Sequence, residues 1–122
     1  MANPKVLIVE DDKLIAHIEQ WRLLKLGYDV CGSAGTGTEA LICVAEMRPD
    51  IVLIDISLEG AMDGIETARQ IKKDFNIPVI FVSAHVDGAT IERAKAIQPE
   101  GFIKKPFDDD DLRVAVELGI KK

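Results

Sequence analysis

The chain repeats one hydrophobic rhythm five times. A short apolar run rich in β-branched residues is followed by a longer stretch with helical spacing, and the pair then recurs. The runs are Lys5–Glu10, Tyr28–Ser33, Ile51–Asp55, Pro78–Ser83 and Gly101–Lys104. The first, third and fourth are almost continuously apolar, as strands covered on both faces are. The second, Tyr28-Asp29-Val30-Cys31-Gly32, partly alternates, which predicts an edge strand.

The stretches between them carry helix signals. Leu14, Ile18, Trp21 and Leu24 recur at helical spacing and predict the inner stripe of a first helix that stops at Gly27. Thr36 with Glu39 reads as a capping box for a second helix, packed through Ala40, Leu41, Val44 and Ala45, with Pro49 past its end. Asp63 with Glu66 opens a third, whose inner stripe is Ile65, Ala68, Ile71 and Phe75. The fourth runs from about Asp87 to Ala96 and is the least apolar, with Ile91 and Ala94 as its packing residues. The fifth starts at Asp108 and carries Leu112, Ala115, Val116 and Leu118.

Five β-α units with right-handed crossovers predict an α/β fold, a flavodoxin-like doubly wound parallel sheet of five strands in the order 2-1-3-4-5 with five helices. In that order the first and third strands are neighbours where the winding reverses. Glu10-Asp11-Asp12 and Asp55, remote in sequence, should therefore meet at one edge of the sheet. Asp55 ends the most apolar run and opens into a loop with Ser57, Glu59, Gly60 and Gly64.

Carboxylates so gathered need a cation. Two charges about 4 Å apart repel by about 4 kcal/mol at an effective dielectric of about 20. Hard oxygen ligands at a partly open site suit Mg²⁺. A carboxylate can attack phosphorus to give an acyl phosphate, with a metal and a lysine neutralising the equatorial oxygens. Ser83, ending the fourth strand before the small Ala84, can offer a hydroxyl, and Lys105, before Pro106, an ammonium.

Composition bounds the rest. The 122 residues suffice for one domain, expected over 1–122, and the fifth helix reaches almost to Lys122, so no output domain is expected after it. A net charge of −6 with scattered lysines argues against direct nucleic-acid binding. There is no apolar run of membrane-spanning length and no signal-peptide core, so a cytoplasmic protein without membrane insertion is expected. Cys31 and Cys43 lie on different elements and read as small buried residues.

Taken in order, Val9-Glu10-Asp11-Asp12, Ile54-Asp55-Ile56, Asp63-Gly64, Val82-Ser83-Ala84 and Lys105-Pro106-Phe107 make the chain resemble the receiver domain of two-component response regulators over essentially its whole length. The resemblance implies that Asp55 is the phosphorylation site. It implies that Asp11 binds Mg²⁺ directly, Glu10 through water and Ser57 through its backbone carbonyl. Ser83 and Lys105 would hold the phosphoryl oxygens, across a Lys105–Pro106 bond that is usually cis. Phe102 matches the aromatic that turns inward on activation as the residue at Ser83 moves toward the phosphoryl group. The implied donor is a phosphohistidine on a sensor histidine kinase or histidine phosphotransfer protein. The implied output is contact with a downstream protein, or a homodimer, through helix 4, strand 5 and helix 5. Such a domain is not an enzyme toward other substrates; it catalyses only its own phosphorylation and dephosphorylation. The segment from Asp55 to Gly64 contains one residue more than in chemotaxis-type regulators, Glu59 stands where many members have proline, and Phe102 lacks the hydroxyl of the frequent tyrosine.

Two competing classes fit less well. A haloacid-dehalogenase-type phosphatase wants a second aspartate two residues after the first, where this chain has Ser57. A flavodoxin-like binding module wants a phosphate cradle after strand one, where Glu10-Asp11-Asp12 repels phosphate. Among the remaining polar residues, Asp12 reads as the cap of the first helix, Asp108–Asp111 as acids favouring a helix N-terminus, and His17 as a surface residue. Trp21 reads as packing, and His85, at the rim of the site, with Ser57, as a tuner of water access.

Overall fold

The structure, a computed structural model, describes residues 3–58, 62–84 and 87–120. Glu59, Gly60 and His85, and with them the expectations placed on the loop and on water access, lie outside the described residues. The element order is β1 (Lys5–Val9), α1 (Lys13–Lys25), β2 (Asp29–Ala34), α2 (Gly37–Met47), β3 (Ile51–Asp55), α3 (Gly64–Phe75), β4 (Val79–Ser83), α4 (Gly88–Ala96), β5 (Gly101–Lys104) and α5 (Asp109–Ile120). The strands form one parallel sheet in the order β2-β1-β3-β4-β5. The flavodoxin-like expectation holds, and β2 is an edge strand. Its register with β1 slips at Cys31: Val6 pairs with Val30 but Leu7 with Gly32. One extra residue on an edge strand bends it and carries its end one position past Ser33, to Ala34.

Strand side chains alternate between two cores. Leu7, Val9, Val52, Ile54, Val79 and Phe81 pack with Ala40 and Val44 of α2, Ile65, Ala68 and Ile71 of α3 and Ala94 of α4. Val6, Ile8, Leu53, Ile80, Val82 and Ile103 pack on the other side with Ala16 and Leu23 of α1 and Leu112 and Val116 of α5. Each central strand therefore needs apolar residues at every position, which is why its sequence does not alternate.

Helix starts follow their capping residues. Asp12 accepts from the amides of Leu14 and Ile15, Thr36 from Glu39, Asp63 from Glu66 and Asp87 from Thr90. Asp108 and Asp111 bond each other's amides across the first turn of α5. The acidic run does more than complement a dipole: Asp109 accepts from Arg22 at 2.9 Å and Lys25 at 2.9 Å, tying α5 to α1.

The rotation of α1 differs from expectation. Leu14, Ile18, Trp21 and Leu24 are exposed, at 69, 47, 60 and 50%, and the inward face is Ala16, Glu19 and Leu23. The helix carries two candidate apolar faces, and its attachment decides between them. Asp12 caps it only three residues after β1 ends, so the strand's exit direction sets the phase, and Ala16 admits close approach to the sheet. Trp21 is accordingly not a packing residue; its ring lies under the Lys25 ammonium, 4.6 Å away. Ile91, Ala45 and Leu118, also expected to pack, are exposed. In α4 only Ala94 is buried. His17 is exposed, as expected; both cysteines are free but only half-buried, where burial was expected.

Gly64 is required by contact. A Cβ there would overlap the carbonyl oxygen of Asp55 and press on Ile56, so α3 begins flush against the end of β3. Gly64→Ala is expected to lower the unfolding free energy by about 1–3 kcal/mol, as overpacking against backbone does. Urea denaturation measures it, and an unchanged midpoint would show that the two segments separate freely.

Candidate functional site at the carboxyl ends of the strands

The β2-β1-β3 order brings the ends of β1 and β3 side by side, with Val9 paired to Ile54. Glu10 and Asp11 leave β1 at the height where Asp55 ends β3. Glu10, Asp11 and Asp55 each place a carboxylate oxygen within 4.8 Å of the others. Glu10 is buried, Asp55 is 9% exposed and Asp11 is open to solvent.

Lys105 reaches in from the end of β5. Its Nζ lies 3.3 Å from Glu10 Oε1 and 3.6 Å from Asp55 Oδ2. The backbone behind it is fixed on both sides. The Lys105 amide donates to the Ser83 carbonyl at 2.8 Å, and the Lys105–Pro106 bond is cis. Beyond it, Arg22 of α1 donates to the Phe107 carbonyl at 2.8 Å and lies over the Phe107 ring, 4.5 Å from its centroid.

Electrostatics follow from this packing. Burial pushes the Glu10 carboxyl up to about 7; the Asp12 amide pulls it down, Asp55 pushes it up and Lys105 pulls it down. Burial alone would lower the Lys105 ammonium, but Asp55, Glu10 and Glu19 outweigh it and leave its pKa raised. The site therefore holds more negative charge than one lysine balances, beside an opening of about 340 Å³ lined by Glu10, Asp11, Lys13 and His17. A divalent cation fits that donor set: three hard oxygens, one from an exposed side chain, at the mouth of a cleft.

The other expected residues fall around this core. The Ser57 amide donates to Asp55 Oδ1 at 2.9 Å, so the backbone of Ser57 folds back beside the carboxylate. Ser83 is fully buried at the end of β4, next to Asp55 in the sheet through the Asp55–Val82 pairing. Phe102 stands away from the carboxylates, 43% exposed, its ring edge-on to Phe81 with centroids 6.4 Å apart.

One residue near the site was not anticipated. Glu19, on the inward face of α1, is 5% exposed and close enough to Lys105 and Asp55 to feel both. Its signal in the sequence is a glutamate one helical turn from Ala16 and one from Leu23. The apolar spacing of Leu14, Ile18, Trp21 and Leu24 on the opposite face of the helix conceals it.

Comparison with known proteins agrees with this fold. The family model for the response regulator receiver domain matches residues 6–117. The signal receiver domain of a modulated diguanylate cyclase from Desulfovibrio desulfuricans G20 is 44% identical, with a TM-score of 0.93 over 98% of this chain and 94% of that one. The N-terminal domain of a response regulator/sensory box/GGDEF three-domain protein from Carboxydothermus hydrogenoformans is 36% identical, with a TM-score of 0.86 over 96% of this chain and 94% of that one. The signal receiver domain of the response regulator NarL from Mycobacterium tuberculosis is 26% identical, with a TM-score of 0.90 over 99% and 98% of the two chains. With its family model matched over residues 6–117 and its fold shared with these relatives, the chain belongs to the response regulator receiver domain family.

Proposed function

We propose that Asp55 accepts a phosphoryl group from a phosphohistidine on a sensor histidine kinase or histidine phosphotransfer protein. The observation that carries this reading is the convergence of Glu10, Asp11 and Asp55 within 4.8 Å, with the Lys105 ammonium 3.6 Å from Asp55. Mg²⁺ would be held by Asp11, Asp55 and the Ser57 carbonyl, and by Glu10 through water, and when bound it would supply positive charge to the phosphoryl oxygens. The remaining chemistry belongs to the chain. An Asp55 oxygen forms the bond to phosphorus while the phosphorus–nitrogen bond breaks, and the departing imidazole takes a proton from solvent. Lys105, held between Ser83 and Pro106, offers its ammonium to one equatorial oxygen, and the Ser83 hydroxyl bonds another. The same site hydrolyses the acyl phosphate slowly. The domain thus acts as a signalling module, turning over only its own phosphate.

The donor's histidine must reach Asp55. Beside Lys105 lies a mostly apolar cavity of about 450 Å³, bounded by Ile15, Ile18, Pro106 and Phe107. It runs into the exposed face of α1 at Leu14, Ile18 and Trp21. A helix of the donor laid there would bring its histidine over the site. The output side is α4, β5 and α5, where Phe102, Val114 and Leu118 expose apolar surface beside a cavity of about 520 Å³. That surface suits a downstream protein or a second copy. With Ser83 drawn toward a phosphoryl group, the Phe102 ring would move inward.

Incubation with a small phosphodonor and Mg²⁺ is expected to add one phosphoryl mass to the wild type and none to Asp55→Asn or to protein in EDTA. Labelling that survives Asp55→Asn overturns the assignment. Ile18→Asp is expected to slow transfer from a phosphohistidine protein at least about tenfold, as loss of a docking anchor does, while changing the rate with the small donor less than about twofold. Equal losses with both donors would remove the docking role from α1.

A further inference from the structure

Among the described residues three carboxylates are buried: Glu10, Asp55 and Glu19. The first two belong to the phosphoacceptor site. Glu19 has no part in the chemistry above, yet it sits on the inward face of α1 and lines the same cavity as Lys105, Pro106 and Phe107. A carboxyl in such a place is costly unless a cation attends it. Two cations lie near. Arg22, one turn along the same helix, is committed to Asp109 at 2.9 Å and to the Phe107 carbonyl at 2.8 Å. Lys105 remains. Its ammonium touches Glu10 and Asp55 and feels Glu19 as a third carboxylate, approached from the helix side.

We propose that Glu19 is a positioning residue for Lys105, setting a negative charge on the α1 side of the cavity they share and so limiting the charge that the ammonium lends to a phosphoryl group on Asp55. The inference rests on the reading of Asp55 as the phosphoacceptor. Glu19 competes with the phosphoryl oxygens for the same cation, so its ionised form slows loading of Asp55 and its neutral form permits it. Burial raises the Glu19 carboxyl to about 7, with Lys105 pulling it down, Asp55 pushing it up and Arg22 pulling it down. A carboxyl raised in this way is neutral below that pH and anionic above it. Loading should therefore fall, relative to a permanently neutral side chain, as pH rises through about 7.

Two measurements test this. The first compares phosphorylation rates of wild type, Glu19→Gln and Glu19→Leu with a small phosphodonor at saturating Mg²⁺ between pH 6 and 8.5. The ratio of Glu19→Gln to wild type is expected to be near one at pH 6 and to rise to about threefold at pH 8, the scale of one partly screened charge. Glu19→Leu should follow Glu19→Gln. A ratio flat with pH overturns the proposal, because a merely structural role scales the rate equally at every pH. The second follows the Glu19 side-chain carboxyl by carbon NMR in metal-free protein. Lys105→Met is expected to raise its titration midpoint, since the cation that favours the anion is gone; an unchanged midpoint overturns the pairing. An Asp55→Asn control separates the two levels. If it still takes up phosphate, the phosphoacceptor reading fails, whereas the NMR titration judges the Glu19–Lys105 pairing alone.

Discussion

Charge balance at one sheet edge organises this molecule. Glu10, Asp11 and Asp55 converge because β1 and β3 are neighbours, and the Lys105 ammonium, 3.3 Å from Glu10 and 3.6 Å from Asp55, is the protein's own cation against them. The two sides steady each other: Lys105 pulls the buried Glu10 carboxyl down, and Asp55 and Glu10 raise the Lys105 ammonium. The framework serves this balance. The Ser83 carbonyl and Arg22 over Phe107 both fix where the lysine starts, and the Ser57 amide fixes one oxygen of Asp55.

The balance is incomplete, and this gives the site its character. One ammonium faces three acidic side chains at the cluster and a fourth, Glu19, behind it. Excess negative charge at an open cleft favours a hard divalent cation, and a divalent cation beside a carboxylate prepares it for an anionic phosphoryl group. The relatives are signal receiver domains built on the same sheet order.

Much of this was legible in the sequence because it depends on strands, and strands with two covered faces declare themselves. Ile51–Asp55 and Gly101–Lys104 stand where their apolar runs place them. The sheet order follows from connection rules, and once it is known the strand-end residues must meet. Helix rotation was less legible. In α1 both faces carry apolar residues, and spacing alone favours Leu14, Ile18, Trp21 and Leu24. The short link through the Asp12 cap turns Ala16, Glu19 and Leu23 inward instead. An exposed apolar stripe looks, in one dimension, like a core stripe. The same ambiguity misplaced Leu118 and Ile91, and it concealed Glu19.

Helices α3 and α4, on the same face of the sheet, are attached very differently. The first turn of α3 is wedged against Asp55 at Gly64, its Thr67 hydroxyl donates to the Asp63 carbonyl at 2.8 Å, and Gly64, Ile65, Thr67, Ala68 and Ile71 are all buried. The helix α4 buries Ala94 alone and is pinned at its surface by Arg93 to Asp63, 3.0 Å apart. Mechanically, α3 is the more firmly seated of the two. A displacement at the tip of β3 would meet more buried packing on the α3 side than on the α4 side. Unequal seating of this kind would give such a displacement a direction without any dedicated path of residues across the sheet.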